Sequence, residues 1–535
     1  MITPFLSWHR RRNDALVWLV LFGSFLRSAK AETSIDITFR DKSSGEKISS
    51  RIEFTKPASK APRPKNSLSA GRQLLVEGTA HFTPPPGDYE FFVHRGPEFS
   101  VIRAGFELEK NVQNAIDVVV PQKTSMRKWG WYSGDLESPM QPDLLRRWML
   151  ADDLDVVAST SNLAIAVKKS DSPNISFNRK QGTASDRFDP IENRKSNTRD
   201  DSIPPSMRHV QTQSQHFKEP GQGGLLIHPL TENTFEASTN SSFATIDRIN
   251  AQSPAFVEIT KPWERDVPIL LTTGRIDSVQ LLSNYLQPDS SDSIHSSIRN
   301  PDPLRFKGKK ALGRLSEFIY WKMLDAGFRL PPTAGSGFDG KLPTHLGYNR
   351  VYTWLAPEMP HTIDTWWSQL RAGHSMVTNG PLIHAMINGL PPGTIYPSYR
   401  EQPVPLDIGL ELTVRDPVEY LDVVFNGKAI YQARLEDHAK RGQFPPLNIV
   451  ESGWLVLRVV TEHENSYRMA TTAPFYFEVD GKQRVSRSAV QFFQDWLDES
   501  QSLVEQNDEW KAIYQEPIAK AKRFWFVRAL QANVE

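Results

Sequence analysis

Cysteine is absent from all 535 residues, which removes disulfides, thiolate metal sites and cysteine nucleophiles together. Stability must come from packing, and a chain that is 39% hydrophobic and 10% aromatic, with 14 Trp and 28 Phe, has the material for it. An excess of charge of either sign is also lacking: 63 Lys and Arg face 62 Asp and Glu. No global field therefore gathers nucleic acid, and no nucleic-acid partner is expected. Three motifs are missing as well: the Gly-x-Ser-x-Gly elbow, the Gly-x-x-x-x-Gly-Lys-Ser/Thr phosphate loop (Gly335–Lys341 is followed by Leu342, not Ser or Thr) and the His-Glu-x-x-His helix. Their absence sets aside serine hydrolase, NTPase and zincin readings. A carboxylate pair for glycoside hydrolysis stays open, because sequence does not report the distance between two carboxylates.

What is present begins with an export signal. Residues 1–31 have a basic start (Arg10, Arg11, Arg12), an apolar run from Ala15 to Leu26 and the small-x-small triplet Ala29-Lys30-Ala31, the pattern of a secretory signal peptide cleaved before Glu32. The run is shorter than the roughly 20 residues of a membrane-spanning helix, and no later stretch reaches that length. The expectation is a secreted or periplasmic protein of a bacterial envelope, with no integral membrane segment after cleavage. Its oligomeric state is left open.

The remaining length suits two to four domains at about 100–200 residues each. Residues 32–121 alternate in short runs such as Ser34–Phe39 and Tyr89–Val93 between Pro and Gly turns, which predicts an N-terminal β-sandwich. Residues 122–395 mix helix-period and short apolar runs and predict α/β units. Helices are expected from Pro142-Asp143 with Asp143 as N-cap, from Arg314 to Ala326, and from Asp364 to Gly373. Two polar inserts, 168–222 and 287–310, have too few apolar residues to bury a core and are expected to be disordered. Alternation returns over 396–485, with Asn426-Gly427 as a hairpin turn, and predicts a C-terminal β-sandwich. The tail, 486–535, has a helical period that Pro517 is expected to divide.

Four stretches occur in a telling order: Trp129–Leu136, Asp266-Val267-Pro268 with Thr273–Ser278, Gly347–Tyr352, and Thr378-Asn379-Gly380-Pro381. Together they resemble the CehA/McbA-like metallohydrolases of the PHP (polymerase and histidinol phosphatase) superfamily, in particular exported members of planctomycete type. The resemblance covers about residues 35–490. It implies a distorted (β/α)7 PHP-like barrel for the central domain, flanked by the two sandwiches, with a divalent metal (Mn, Zn or Fe) at the C-terminal ends of its strands. It also shows where this chain departs. The family follows Ser-Gly-Asp-Leu with His-x-His, and here Glu137 stands at the first position and Pro139, without a donor, at the second. Where relatives carry Asn-Asn-His this chain has Ser283-Asn284-Tyr285, and Ala334–Gly337 lacks the family's last Asp-x-His, leaving Asp339 nearby.

Each candidate residue therefore carries two readings. Glu137, Asp135, His228, Asp339 and His345 are the candidate metal ligands. His228 ends the apolar run Leu225–Ile227, where it either faces a site or is hydrogen-bonded at a strand end. Asp135 either ligates a cation or accepts backbone hydrogen bonds in a turn. Arg275 and Asp277, at alternate positions of an expected strand, either bind an anionic substrate as catalytic residues or form a structural ion pair. His345, in a loop, either partners Asp339 or is solvated. Glu232 and Glu258 are further carboxylates near strand ends, and Trp263 is a candidate pocket wall. The reading that follows is an exported protein with a degenerate metal site, binding or scaffolding rather than catalysing, with a small-molecule or glycan ligand. The alternative is a metal-dependent hydrolase of phosphoester, ester or amide bonds that uses a rebuilt site.

Overall fold

A computed structural model describes residues 33–56, 63–64, 67–160, 210–213, 215–217, 224–230, 255–288, 298–340, 344–400 and 402–535, with Val17, Trp18, Phe243, Ile246 and Ile294 besides. The expected signal peptide, apart from a two-residue strand at Val17–Trp18, most of the first insert and Glu232 lie outside the described residues.

The chain is mixed α/β, with strands predominating and a helical C-terminal tail. The N-terminal unit packs a three-stranded sheet (Thr79–Phe82, Ser34–Asp41, Gln113–Val120) against a larger one centred on Gly87–His94 and Ser49–Lys56. Its alternating residues meet inside: Ile35, Ile37 and Phe39 from one sheet face Phe54, Phe91 and Val93 from the other, all buried.

In the central unit three strand–helix–strand connections give parallel pairs. Trp131–Ser138 and Val156–Ser159 flank the helix Pro142–Asp152, Ala255–Ile259 and Ser278–Leu282 flank the short helix Val267–Leu270, and Ser278–Leu282 and Pro332–Ala334 flank Ala311–Asp325. Among the described residues these strands do not close into the expected seven-stranded barrel. They form two open sheets. The reason is at the seam: Trp131–Ser138 pairs antiparallel with Arg350–Trp354 instead of laddering onto Pro332–Ala334, and across the seam Gly337 N donates to Glu137 O at 2.8 Å. Arg350–Trp354 pairs with Ser375–Thr378, which pairs with Met469–Thr472, so one sheet runs on from the central unit into the C-terminal β unit. There Asn426 and Gly427, at φ 49° and 76°, make the expected tight turn between Val418–Phe425 and Lys428–Ala433.

Several local expectations are corrected. Gln141, not Asp143, is the N-cap of the first helix, because Pro142 takes the first helical position. The third helix starts after Thr362, whose side chain accepts from Thr365 N. The tail divides at Asn507, which caps Asp508–Leu530, and Pro517 lies inside that helix. Its face carrying Tyr514, Ile518, Ala521 and Trp525 is buried, and packing on one face holds the turn that proline would otherwise open. The inserts are not wholly structureless either. Val210–Gln213 extends one sheet beside Val156–Ser159, Gln215–Phe217 pairs with Leu225–Pro229, and Phe306 is buried against Phe318. No described helix is long and apolar enough to cross a membrane.

Buried ion pairs fasten the N-terminal unit to the centre. Arg51 meets Asp152 at 2.8 Å with both side chains essentially inaccessible, and Arg95 and Arg127 both reach Asp153. Glu98 accepts from Met126 N and from the Tyr352 hydroxyl. Burial pushes the Glu98 carboxyl up to about 7, although Arg127 draws it down. The folded protein thus holds this proton to about pH 7, whereas the unfolded chain releases it near 4.5. The contribution is fully present below 4.5 and is lost as pH rises through 7. Thermal melting should accordingly fall between pH 5 and 8, and Glu98→Gln should flatten that slope by the equivalent of at most about 3 kcal/mol. An unchanged slope would show that another group sets it.

Candidate functional site

The strongest constellation is built on four neighbouring strands. Leu225–Pro229 runs antiparallel to Ala255–Ile259, which runs parallel to Ser278–Leu282 and so on to Pro332–Ala334. Side chains of alternate residues share a face, and on this face His228, Glu258, Ser278, Gln280 and Thr333 come together, each at 0% exposure. Glu258 is the hub. Its Oε1 lies 2.9 Å from His228 Nε2 and accepts from Gln280 Nε2 at 3.1 Å, and its Oε2 accepts from the hydroxyls of Ser278 and Thr333. Trp367 and Phe256 wall the imidazole, with ring centroids 4.9 and 6.0 Å away.

Glu137 approaches from Trp131–Ser138, across the seam in the other sheet. A Cβ on Gly335 would lie 2.6 Å from the Glu137 Cβ and 2.7 Å from Gln280 Nε2, so this glycine lets the two carboxylate neighbourhoods pack edge to edge. Glu137 Oε1 accepts from Asn284 Nδ2 at 2.9 Å. Glu137 is 3% exposed, while Asn284 is half-buried, so the network meets solvent on the Asn284 side.

Asp135 takes the turn-forming reading. It accepts from Ser336 N at 2.9 Å, Gly347 N at 2.7 Å and Glu137 N at 3.3 Å, tying three segments at the strand end. Burial still raises its carboxyl to about 6, against the lowering effect of those bonds. Asp339 is half-buried on the loop after Gly337. His345 belongs elsewhere: its Nδ1 lies 3.0 Å from Leu346 O and 3.8 Å from Asp152, on a separate cleft lined also by Arg51 and Arg350. Arg275 is exposed, and the strand starts at Ser278, so the expected alternation with Asp277 does not arise. Asp277 instead pairs with Arg371 at 2.9 Å and accepts from Val257 N. Trp263 is buried against Tyr285.

Thus His228 and Glu258 meet directly, Glu137 adjoins them, Asp135, His345 and Asp277 serve other contacts, and Arg275 is exposed. Gln280 and Thr333 were missed. The available signal was the alternation Ser278-x-Gln280 of polar side chains in an otherwise apolar strand.

The donors that a divalent metal would use are engaged by the protein here. Both oxygens of Glu258 already accept protein donors, both oxygens of Asp135 hold backbone amides, and among the described residues no group of three or more His, Asp or Glu converges as a metal would require. No family model, curated protein or solved structure matches the chain.

Proposed function

We propose that the chain is an exported bacterial envelope protein built on a PHP-like hydrolase scaffold, an opened relative of the (β/α)7 barrel, that binds or scaffolds and does not catalyse. One observation carries this reading: the Glu258 carboxylate, at the centre of the buried face, is committed on both oxygens to four protein side chains. A general base or metal ligand needs a lone pair directed at substrate or cation, and this arrangement directs all of its contacts inward. The three parallel strand–helix–strand connections and the motif order support the scaffold. The basic start and apolar run of residues 1–31 support export. The test is turnover of phosphodiester and ester substrates by the full chain after incubation with Mn²⁺ or Zn²⁺, beside His228→Ala. No turnover above that variant is expected, and metal-dependent turnover abolished by the substitution would restore the hydrolase.

A further inference from the structure

A cavity of about 770 Å³ lies where the N-terminal, central and C-terminal β units meet. Its volume is in the range of small-molecule sites. Five arginines line it: Arg51, Arg72, Arg350, Arg415 and Arg468. Against them stand two lining carboxylates, Glu53 and Asp416, with Asp152 behind Arg51. Asp416 is taken by Arg468 at 2.9 Å and Asp152 by Arg51 at 2.8 Å.

Arg350 and Arg415 are different. Arg350 is 1% exposed, and its guanidinium donates to the backbone carbonyls of Gly347 at 2.7 Å and Asp152 at 2.6 Å, while the Asp152 carboxylate that feels its charge is hydrogen-bonded to Arg51. Arg415 likewise donates to the carbonyls of Gly96 and Phe99. A buried cation is ordinarily matched by a carboxylate. The backbone is also shaped around Arg350. Gly96 and Gly347 have φ 72° and 68°, and a Cβ on either would fall within 3 Å of its guanidinium nitrogens. Two glycines in the left-handed region therefore hold a guanidinium at a cavity wall, where it shares the Asp152 carboxylate with Arg51.

The neighbouring imidazoles add to this. Burial, then the charges of Arg51 and Arg415, drives His94 down to about 3, and burial with Arg51 drives His345 well below its ordinary range. Arg415 is lowered to about 10 by burial and by Arg350 and Arg51. Burial is the largest cause of each shift, and the neighbouring arginines add to it.

The geometry points to this cleft as the binding site for a small molecule carrying a phosphate, sulfate or carboxylate group, the oxyanion lying between Arg350 and Arg415. Guanidinium forks suit such groups because two parallel N–H donors match two oxygens. The inference supplies a ligand class for the binding reading above and rests on it in that respect. The cleft itself is separate from the Glu258 network, so metal content tests that reading and anion binding tests this one.

The experiment is a titration of the full chain with inorganic phosphate, inorganic sulfate, citrate and glucuronate in separate arms. It is read by calorimetry and by melting temperature, against chloride at matched ionic strength. At least one arm should saturate in the low-millimolar range or tighter and raise the melting temperature, and the arm that binds tightest identifies the oxyanion. Arg415→Gln should weaken that binding about tenfold. Arg72→Gln, at an exposed position, guards against a folding defect and should weaken it about threefold, while Glu53→Gln should tighten it by removing a facing carboxylate. No saturable binding in any arm would overturn the inference. So would equal affinity in the wild type, Arg415→Gln and Arg72→Gln, which would mean general salt stabilisation.

Discussion

Replacing Arg51 by Met is expected to destabilise the protein by about 3–5 kcal/mol, because it leaves Asp152 charged and buried with its principal partner gone. Arg51 is 2% exposed and Asp152 0%, and the guanidinium also donates to Gln73 at 2.7 Å. Asp152 ends the helix Pro142–Asp152, and Arg51 belongs to a strand of the N-terminal β unit, so this pair joins the two units. Burial already raises the Asp152 carboxyl, with Arg51 the largest opposing influence. Removing the arginine should raise it further, and Arg51→Met should then unfold more readily at neutral than at acidic pH. Adding Asp152→Asn to Arg51→Met should recover part of the loss, since the amide does not have to be buried with a charge. Urea melts of the single and double variants measure this directly. A loss under about 1 kcal/mol in Arg51→Met would mean that Asp152 finds its compensation elsewhere.

The second large effect is at Glu258. Glu258→Leu should cost on the order of 4 kcal/mol, because His228, Gln280, Ser278 and Thr333 lose their common acceptor in a dry core. Glu258→Gln should fall between the wild type and Leu, since an amide keeps one acceptor oxygen but turns two donors toward donors. The direction is informative. A carboxylate held in place for a cation or a substrate is strained in the empty site, and its removal commonly leaves stability unchanged or improves it. A structural hub gives the opposite result. Chemical denaturation of the two variants separates the cases, and a Glu258→Leu protein as stable as the wild type would contradict the structural account of this face.

Much of the β architecture was legible because its signals are local. The alternation in Ser34–Phe39 and the turn at Asn426-Gly427 depend on neighbours within a few residues, and both appear where the pattern places them. Closure of the central sheets was not legible. It depends on whether Trp131–Ser138 pairs with Pro332–Ala334 or with Arg350–Trp354, and both runs are apolar enough to be buried strands. Pro517 misled because the rule against helical proline is a local one, whereas the burial of Ile518 and Trp525 that outweighs it is tertiary.

The sites divide in the same way. His228 was visible at the end of an apolar run, but its partner Glu258 is 30 positions away and was only one of several carboxylates near strand ends. Asp277 seemed to face Arg275 because both were placed on one strand. Once the strand starts at Ser278, Arg371 from the helix Ile363–Arg371 takes Asp277. The arginine cleft has no sequence signature, because Arg51, Arg350 and Arg415 come from three separate units and nothing near them in the chain marks them as neighbours.

The central claim is that the Glu258 face is a structural network whose carboxylate contacts are all made within the protein. Its most direct test is bound metal, measured by inductively coupled plasma mass spectrometry on the full chain purified without chelator and again after incubation with Mn²⁺, Zn²⁺ or Fe²⁺. Glu137→Gln and His228→Ala are measured in parallel. The account predicts well under one equivalent, unchanged between the wild type and either variant. About one equivalent or more per chain, lost in both variants, would contradict it and return Glu137 and His228 to the role of metal ligands.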